Sequence, residues 1–375
     1  MRYLPILIFC CGVLALPAWA AGQSADEISD VSQFPSLISA VRLTGPIDLC
    51  GERVPIDEPE IRERMEKELL LLIWNRAQIV LWLKRSGRYM PYIEKMLREN
   101  GMPDDLKYVA VVESSLLPHI GSHAGAVGYW QFIGSTALRY GLTVDQDFDD
   151  RRNIFSSTQA AIRYFKDLHA EFNSWTLSIA AYNMGEAGLR RRIEAQGTDN
   201  FYHLYLPQET QRHILKIAAV KLILSNPRKY GFHFTAEDLY VPAPADRVQV
   251  RCPREIPIRL IADAANTYFK KIKDLNPEIR GYDMPVGTHS ILVPRGGGDG
   301  FSQRFARVLQ KWESEQAAAS RNNPGRRFYV VRRGDSLSRI AERYGVSLAD
   351  LIRWNNLSRS KPIYPGQRLV IHGGR

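Results

Sequence analysis

Acidic residues are almost missing from one long stretch of the sequence. Between Asp105 and Asp145 the only carboxylate is Glu113, which lies in the mostly apolar segment "VVESSLL". Leu106, at i−7, lies on the same helical stripe, so we expect a desolvated carboxyl whose pKa is raised. Two interpretations are open at this point. Glu113 is either a buried acid satisfied by a basic partner or a general acid that holds its proton near neutral pH.

Cysteine is also scarce, with four in 375 residues. Cys10 and Cys11 lie in the N-terminal apolar run, which leaves Cys50 and Cys252 for the rest of the chain. In an oxidising compartment these two either pair or remain two unpaired thiols. A bridge would close a loop of about 200 residues and stabilise the fold by about 5 kcal/mol. The sequence has no Cys/His spacing typical of a metal site, so no metal is expected.

Long apolar runs are absent beyond the first 20 residues, so nothing after them predicts a membrane span. Those residues contain Arg2, an apolar run and the small-x-small pattern Ala18-Trp19-Ala20. This pattern predicts a secretory signal peptide cut after Ala20, the alternative being a retained anchor. Neither Cys10 nor Cys11 has enough apolar sequence before it to indicate a lipoprotein signal. We therefore expect an exported, periplasmic chain.

The charge of the chain is strongly positive, at a formal +10. Such a charge predicts attraction to polyanions, among them nucleic acid, anionic lipid and acidic cell-wall polymers. Export makes nucleic acid an unsuitable partner. From Arg326 to Arg375 there are eleven Lys/Arg and three Asp/Glu, so this end carries about +8. The excess fits steering toward an anionic wall, and it equally fits a role in solubility alone.

The pattern along the chain is helical from Glu58 to about Pro227, and "VPAPAD" near Pro242 indicates a domain boundary. The segment "SGRYMP" predicts a helix break at Ser86-Gly87. We expect an N-terminal extension over 21–57, a helical domain over 58–240, a small unit over 247–294, a linker with one helix over 295–326, and a final module over 327–373.

An internal repeat links the last two small units. An alanine is followed after ten residues by an aliphatic residue, after fourteen by asparagine and after twenty-five by glycine. The residues in the two copies are Ala262, Ile272, Asn276 and Gly287, and then Ala341, Leu351, Asn355 and Gly366. The sequence therefore predicts two copies of one strand-helix-helix-strand unit.

The second copy opens with "VRRGDSLSRIA" and closes with "YPGQRLVI". These segments strongly resemble the LysM module, which implies binding of glycans that contain N-acetylglucosamine, peptidoglycan above all. A small βααβ spacer is the alternative. The first copy lacks the opening turn and is a degenerate unit. The resemblance implies glycan contacts at Gly334, Asp335, Ser336, Leu337, Asn355 and Pro365.

The loop after Glu113, "SHAGAVGYWQF", combines small residues with Trp130 and Gln131, residue types that stack on sugars and bond to their polar groups. The segment "ESSLLPHIGSHAGAVGYWQFIGSTA" resembles the catalytic signature of family-1 lytic transglycosylases. "SIAAYNMGEAGLRRRI" resembles their AYNxG motif, and "LPQETQRHILKIAAVKLI" resembles their ETxxYV helix. The resemblance implies a mainly α, lysozyme-like catalytic domain followed by βααβ modules of the LysM type.

Roles follow from this resemblance residue by residue. Glu113 matches the single catalytic acid/base, and Ser122 matches a serine that contacts the substrate acetamido group or positions the acid. The remaining matches are expected to line the saccharide groove: Gln131, Tyr182, Asn183, Glu209 and His213. His213 departs from the family, which has tyrosine at this position.

The resemblance implies an exported enzyme that acts on peptidoglycan glycan strands without a cofactor. It would cleave the MurNAc-β-1,4-GlcNAc bond with formation of 1,6-anhydro-MurNAc. Most glycosidases use two carboxylates, and the sequence around Glu113 offers no evident second one. The alternatives are a lysozyme-type hydrolase of the same bond and a non-catalytic peptidoglycan-binding scaffold.

Overall fold

The computed structural model describes residues 35–322, 326–332, 334–358, 362–364 and 366–372. The expected signal peptide and Pro365 lie outside these ranges. The chain divides into two compact units, one made of residues up to Leu142 together with Ile154–Pro242, the other of Thr143–Asn153 together with Ala243–Arg375. Within the described ranges, no helix is long and apolar enough to cross a membrane.

The first unit is helical almost throughout, as the sequence predicts. A short hairpin of β1 (Ile47–Leu49) and β2 (Glu52–Val54) precedes the main helices. The helices are α1 (Leu37–Val41), α2 (Pro59–Trp74), α3 (Arg76–Glu99), α4 (Lys107–Ser114), α5 (Gly134–Arg139), α6 (Ile154–Phe172), α7 (Trp175–Met184), α8 (Glu186–Gln196) and α9 (Gln208–Ser225).

The predicted helix break at Ser86-Gly87 is wrong, because α3 runs through both residues and through Pro91. The glycine serves close packing instead. A Cβ at Gly87 would lie 2.7 Å from Cβ of Leu239, and the backbone N–H of Tyr240 donates to the carbonyl of Lys84 at 2.8 Å. Only glycine lets these two backbone segments approach so closely.

The β1–β2 hairpin holds three helices of this unit together. Glu52 on β2 accepts hydrogen bonds from the first residues of α7, among them the backbone N–H of Thr176 at 2.9 Å. Asp105, just before α4, accepts from the backbone N–H of Cys50 at 2.7 Å and from Nζ of Lys221 on α9 at 2.8 Å. Burial lowers the pKa of Lys221, but bonds to Asp105 and Asp48 outweigh it and raise that pKa. The expected extension is therefore part of the helical unit.

The second unit contains the two predicted βααβ copies. In the first, β3 pairs antiparallel with β6, and in the second, β7 pairs antiparallel with β8. The elements are β3 (Ala245–Cys252), β4 (Ile256–Pro257), α10 (Ile258–Ala264), α11 (Phe269–Leu275), β5 (Asp283–Met284), β6 (Gly287–Pro294), α12 (Phe301–Asn322), β7 (Arg326–Val330), α13 (Leu337–Arg343), α14 (Leu348–Trp354) and β8 (Arg368–His372).

The repeated asparagine has the same structural role in both copies. Asn276 follows α11, and its Nδ2 donates to the carbonyls of Ile272 at 2.7 Å and Leu292 at 2.8 Å. Asn355 follows α14, and its Nδ2 donates to the carbonyls of Leu351 at 2.8 Å and Val370 at 2.7 Å. In each copy the strand residue also donates its N–H to the asparagine Oδ1. The repeat therefore preserves a clamp between the second helix and the last strand.

Two expected boundaries are wrong. The helix in 295–326 is not part of a linker, because Phe301 and Phe305 of α12 are 2% and 7% exposed in the core of the second unit. The contiguous domain over 58–240 is interrupted by Thr143–Asn153, which groups with the second unit. Within this segment the N–H of Asp149 donates to the carbonyl of Glu278 at 2.8 Å.

Cys50 and Cys252 are both free thiols in the structure. Cys50 lies in the turn of the β1–β2 hairpin, and Cys252 is buried at the end of β3. Burial, and then the charge of Asp105, raise the pKa of the Cys50 thiol. Burial raises the pKa of the Cys252 thiol to about 11. Both sulfurs therefore stay protonated and unreactive near neutral pH.

Candidate active site

Glu113 lies in the last turn of α4, which carries it on an otherwise apolar helix. Val109, Ala110 and Val111 of this helix are fully buried, while the Glu113 side chain keeps 15% exposure. The helix ends abruptly after Glu113, since Ser115 and Leu116 have positive φ values of 56° and 58°. Such values are costly for residues with a side chain and turn the chain away from the helix axis. The carboxyl is thus left at the helix end, facing a cleft.

The cleft has a volume of about 430 Å³ and is bordered by four helices of the first unit. Its lining residues come from α2, α4, α7 and α9, and they are strongly polar. They are Glu68, Val112, Glu113, Asn183, Gln208, Glu209, Arg212, His213 and Lys216. Four expected site residues, Glu113, Asn183, Glu209 and His213, therefore meet in one cleft.

His213 is the neighbour of the Glu113 carboxyl. Its ring is buried, with the side chain 9% exposed, and Nε2 lies 3.2 Å from Oε1 of Glu113. This contact is not a hydrogen bond, and Nε2 has no hydrogen-bond partner among the described residues. The residue that departs from the family motif is thus the one in contact with the acid.

Tyr182 and Asn183, both on α7, lie at the same site. The Tyr182 hydroxyl donates to the carbonyl of Trp130 at 2.6 Å, and its ring stacks on Phe165. Burial, and then the charge of Glu113, raise the pKa of Tyr182 far above its usual value. Oδ1 of Asn183 accepts from the Thr210 hydroxyl on α9 at 2.9 Å. Tyr182 is therefore a neutral neighbour of Glu113, and Asn183 joins two walls of the cleft.

Ser122 and Gln131 belong to the loop that follows Glu113. Ser122 is exposed, and its Oγ accepts from the N–H of Ala126 at 3.1 Å. Gln131 has a φ of 48°, and its Nε2 donates to the carbonyls of Ile120 at 3.0 Å and Gly128 at 2.8 Å. Both side chains thus fix the conformation of the loop. Neither lines the cleft that contains Glu113.

The expectation that Trp130 stacks on a sugar ring is wrong. Its side chain is 0% exposed, and Nε1–H donates to the Thr158 hydroxyl on α6 at 3.0 Å. The indole is a core residue that anchors the loop to α6, and it presents no ring face to a ligand. Its backbone carbonyl contributes to the site by accepting the hydrogen bond from Tyr182.

The sequence analysis missed a second buried acid in the cleft. Glu68 on α2 is 3% exposed and accepts from Nε and Nη2 of Arg212 at 2.6 and 3.3 Å. Glu68 lies on a buried stripe with Met65 and Leu72, the same signal that identified Glu113. Arg212 and Lys216, on either side of His213 in the sequence of α9, also line the cleft and were not identified from the sequence. Arg212 and Lys216 are four residues apart in the motif helix, a spacing that places both side chains on one helix face and that is visible in the sequence.

Within the last module, the expected glycan-binding residues build the turn before α13. Asp335 accepts from the N–H of Arg332 at 2.7 Å, and the Ser336 hydroxyl caps α13 by accepting from the N–H of Arg339 at 3.3 Å. Gly334 has a φ of 87°, and Leu337 packs against the module core. The amide of Asn355 is used by the clamp described above. Glycan contact at these positions stays a prediction.

Glu113 thus lies at the end of α4, beside the motif helix α9, and borders a polar cleft. A family model described as Transglycosylase SLT domain matches residues 90–205, and one described as LysM domain matches 329–372. The chain belongs to the lytic transglycosylase family. The first match contains Glu113, Ser122 and Asn183, whereas Glu209 and His213 lie beyond it.

The chain is similar to several known proteins to different extents. The chain is 33% identical over 335 residues to membrane-bound lytic murein transglycosylase D of Escherichia coli, covering 86% of this chain and 72% of that protein. It is 42% identical over 60 residues to N-acetylmuramoyl-L-alanine amidase sle1 of Staphylococcus aureus, covering 16% and 18%. Among solved structures, the 70 kDa soluble lytic transglycosylase of Escherichia coli is similar at 16% identity, with a TM-score of 0.30, covering 40% and 26%.

Proposed function

We propose that this peptidoglycan lytic transglycosylase uses Glu113 as its single acid/base on the bond between N-acetylmuramic acid and N-acetylglucosamine. The carrying observation is the position of the carboxyl, mostly buried yet open at 15% exposure to a cleft of about 430 Å³. No side chain that the structure describes donates a hydrogen bond to this carboxyl. A carboxyl that accepts no hydrogen bond and is open to a cleft can reach the oxygen of a bound glycosidic bond.

The reaction needs one proton transfer in each direction. Glu113 protonates the glycosidic oxygen, and the bond from that oxygen to C1 of the muramyl ring breaks. The substrate's own N-acetyl group stabilises C1 while the leaving strand departs. The ionised Glu113 then takes the proton of the muramyl C6 hydroxyl, and the C6 oxygen bonds to C1. The product is a 1,6-anhydro ring, and Glu113 is again protonated.

The other carboxylates of the cleft do not replace this acid. Both oxygens of the Glu68 carboxyl are engaged by the guanidinium of Arg212. Glu209 lies in the first turn of α9, four residues before the His213 that contacts Glu113. The nucleophile therefore comes from the substrate, as the C6 hydroxyl.

We further propose export to the periplasm and retention at the wall by the module over 327–373. The LysM match over 329–372 and the net positive charge support attraction to peptidoglycan. The expected signal peptide supports export.

Digestion of purified sacculi followed by mass analysis tests the proposal. The expected products are muropeptides that lack the elements of one water relative to hydrolytic products. Reducing ends would indicate a hydrolase of the same bond. Binding to sacculi without any product would indicate a scaffold.

A further inference from the structure

The side of α9 that faces the cleft carries a row of ionisable residues. Glu209, Arg212, His213 and Lys216 all line the cleft, at the spacing i, i+3, i+4 and i+7 that places residues on one helix face. Three of the four are basic or become so on protonation. The row begins in the first turn of α9 and ends two turns later.

Two of the three basic groups are already engaged. The Arg212 guanidinium is held by Glu68, with nitrogen-to-oxygen distances of 2.6 and 3.3 Å. The His213 imidazole faces Glu113 at 3.2 Å. Neither group is available to neutralise a charge on a ligand without giving up its contact.

Lys216 is different, because no residue in the described ranges forms an ion pair or hydrogen bond with it. Its side chain is half-buried in the cleft wall. The acid in its own row, Glu209, lies seven residues away, about 10 Å along the helix. That separation is too long for a direct pair. Lys216 therefore gives the cleft wall a positive charge with no anion beside it in the described ranges, and an anionic group of a ligand can pair with it.

We propose that Lys216 binds a carboxylate of the substrate in the same cleft as Glu113, and this inference rests on the proposed function. Two parts of peptidoglycan offer such a group next to the scissile bond. One is the lactyl carboxylate of muramic acid, which is free where the stem peptide has been removed. The other is a free carboxylate of the stem peptide itself. Lys216 therefore determines which strands the enzyme prefers.

The test compares the full chain with Lys216→Met and Lys216→Arg on four substrates. These are glycan strands with stem peptides, strands stripped of stem peptides by an amidase, and both kinds after methyl esterification of their carboxylates. Lys67→Met is the matched control, since Lys67 is exposed on α2 and outside the cleft. Initial rates of anhydro-product formation give kcat and KM for each pair.

Lys216→Met is expected to raise KM about tenfold on the strands that carry the contacting carboxylate, with kcat within about twofold. On esterified strands the KM of Lys216→Met should equal the wild-type KM. The KM of Lys216→Arg should stay within about threefold of wild type, and that of Lys67→Met should match wild type. An effect on stripped strands identifies the lactyl carboxylate, and one on peptide-bearing strands alone identifies the stem. The same KM ratio on esterified and free strands, or no change on any strand, overturns the inference.

Folding and the proposed function are controlled separately. Thermal unfolding of each variant shows whether the variant is folded. If Lys216→Met does not fold, the salt dependence of the wild-type KM provides a second test. The wild-type KM on free-carboxylate strands should rise with salt more steeply than the KM on esterified strands; equal slopes contradict the inference. A wild-type enzyme that forms no anhydro product on any strand contradicts the proposed function instead.

Discussion

Glu68 and Glu113 have similar sequence surroundings, but different residues lie beside their carboxyl groups in the structure. Each acid lies on an apolar helical stripe, each side chain is mostly buried, at 4% and 15% exposure, and both line the same cleft. Glu68 accepts two hydrogen bonds from Arg212. Glu113 has a histidine beside it at 3.2 Å and no donor among the residues described.

The difference shows that burial alone does not make a catalytic acid. The Arg212 guanidinium donates to both oxygens of the Glu68 carboxyl, so these oxygens are engaged by the protein and are not open to a substrate. The same stripe pattern therefore carries a paired acid in α2 and, under the proposed function, the reactive acid in α4. The two acids differ in the α9 residue beside them, which is Arg212 at Glu68 and His213 at Glu113. This neighbouring residue distinguishes the roles of the two acids.

The comparison predicts its largest effect at Glu113. Glu113→Gln should lower the rate of anhydro-product formation at least about 10³-fold, because the amide cannot donate the proton. Thermal unfolding should change little, and binding to sacculi should remain. Glu194→Gln, at an exposed position on α8, is the control for the loss of one acid. Full activity of Glu113→Gln would mean that another group, Glu68 first among them, is the acid.

Removing the cation of the structural pair should have the next largest effect. Arg212→Met leaves Glu68 buried without a partner, which should lower the free energy of unfolding by about 3 kcal/mol. Urea unfolding measures this change. Arg191→Met, at an exposed position on α8, should cost less than about 0.5 kcal/mol. Equal stability of the two variants would show that the Arg212–Glu68 pair is not a structural element.

Removing the acid of that pair should cost less, because Arg212 is about half exposed and water can solvate its charge. Glu68→Gln is expected to lower the free energy of unfolding by about 1.5 kcal/mol, with kcat within about threefold of wild type. Glu63→Gln on the exposed face of α2 is the control. A loss of activity as large as that of Glu113→Gln would break the comparison and make Glu68 a second catalytic carboxylate.

Much of the fold was predictable because local patterns determine it. Helical periodicity gave the range from α2 to α9, and the repeat gave two βααβ copies with their asparagine clamps. The errors lie where a distant contact overrides a local signal. Gly87 stays helical because Leu239 packs against it, and Trp130 is buried because Thr158 accepts from its indole.

The sequence motifs predicted four residues that line the cleft, namely Glu113, Asn183, Glu209 and His213. The site was not predictable where two distant residues act together, because spacing along the chain says nothing about contacts across helices. Glu68 and Arg212 are 144 residues apart, and neither identifies the other in the sequence. The position of His213 in the motif was evident, but its contact with Glu113 required the packing of α9 on α4.

The smallest expected effect concerns His213, as a residue that positions Glu113. Its imidazole fills a buried site with Nε2 at 3.2 Å from Oε1 of the acid. His213→Phe keeps the packing and removes the polar atom, so kcat should fall about fivefold, about 1 kcal/mol in barrier height, with KM within about twofold. His213→Tyr, which restores the family residue and a polar group, should return kcat to within about twofold of wild type. Equal rates for the Phe and Tyr variants would show that the ring acts through packing alone. The difference between Glu113 and Glu68 would then be due only to the pairing of Glu68 with Arg212.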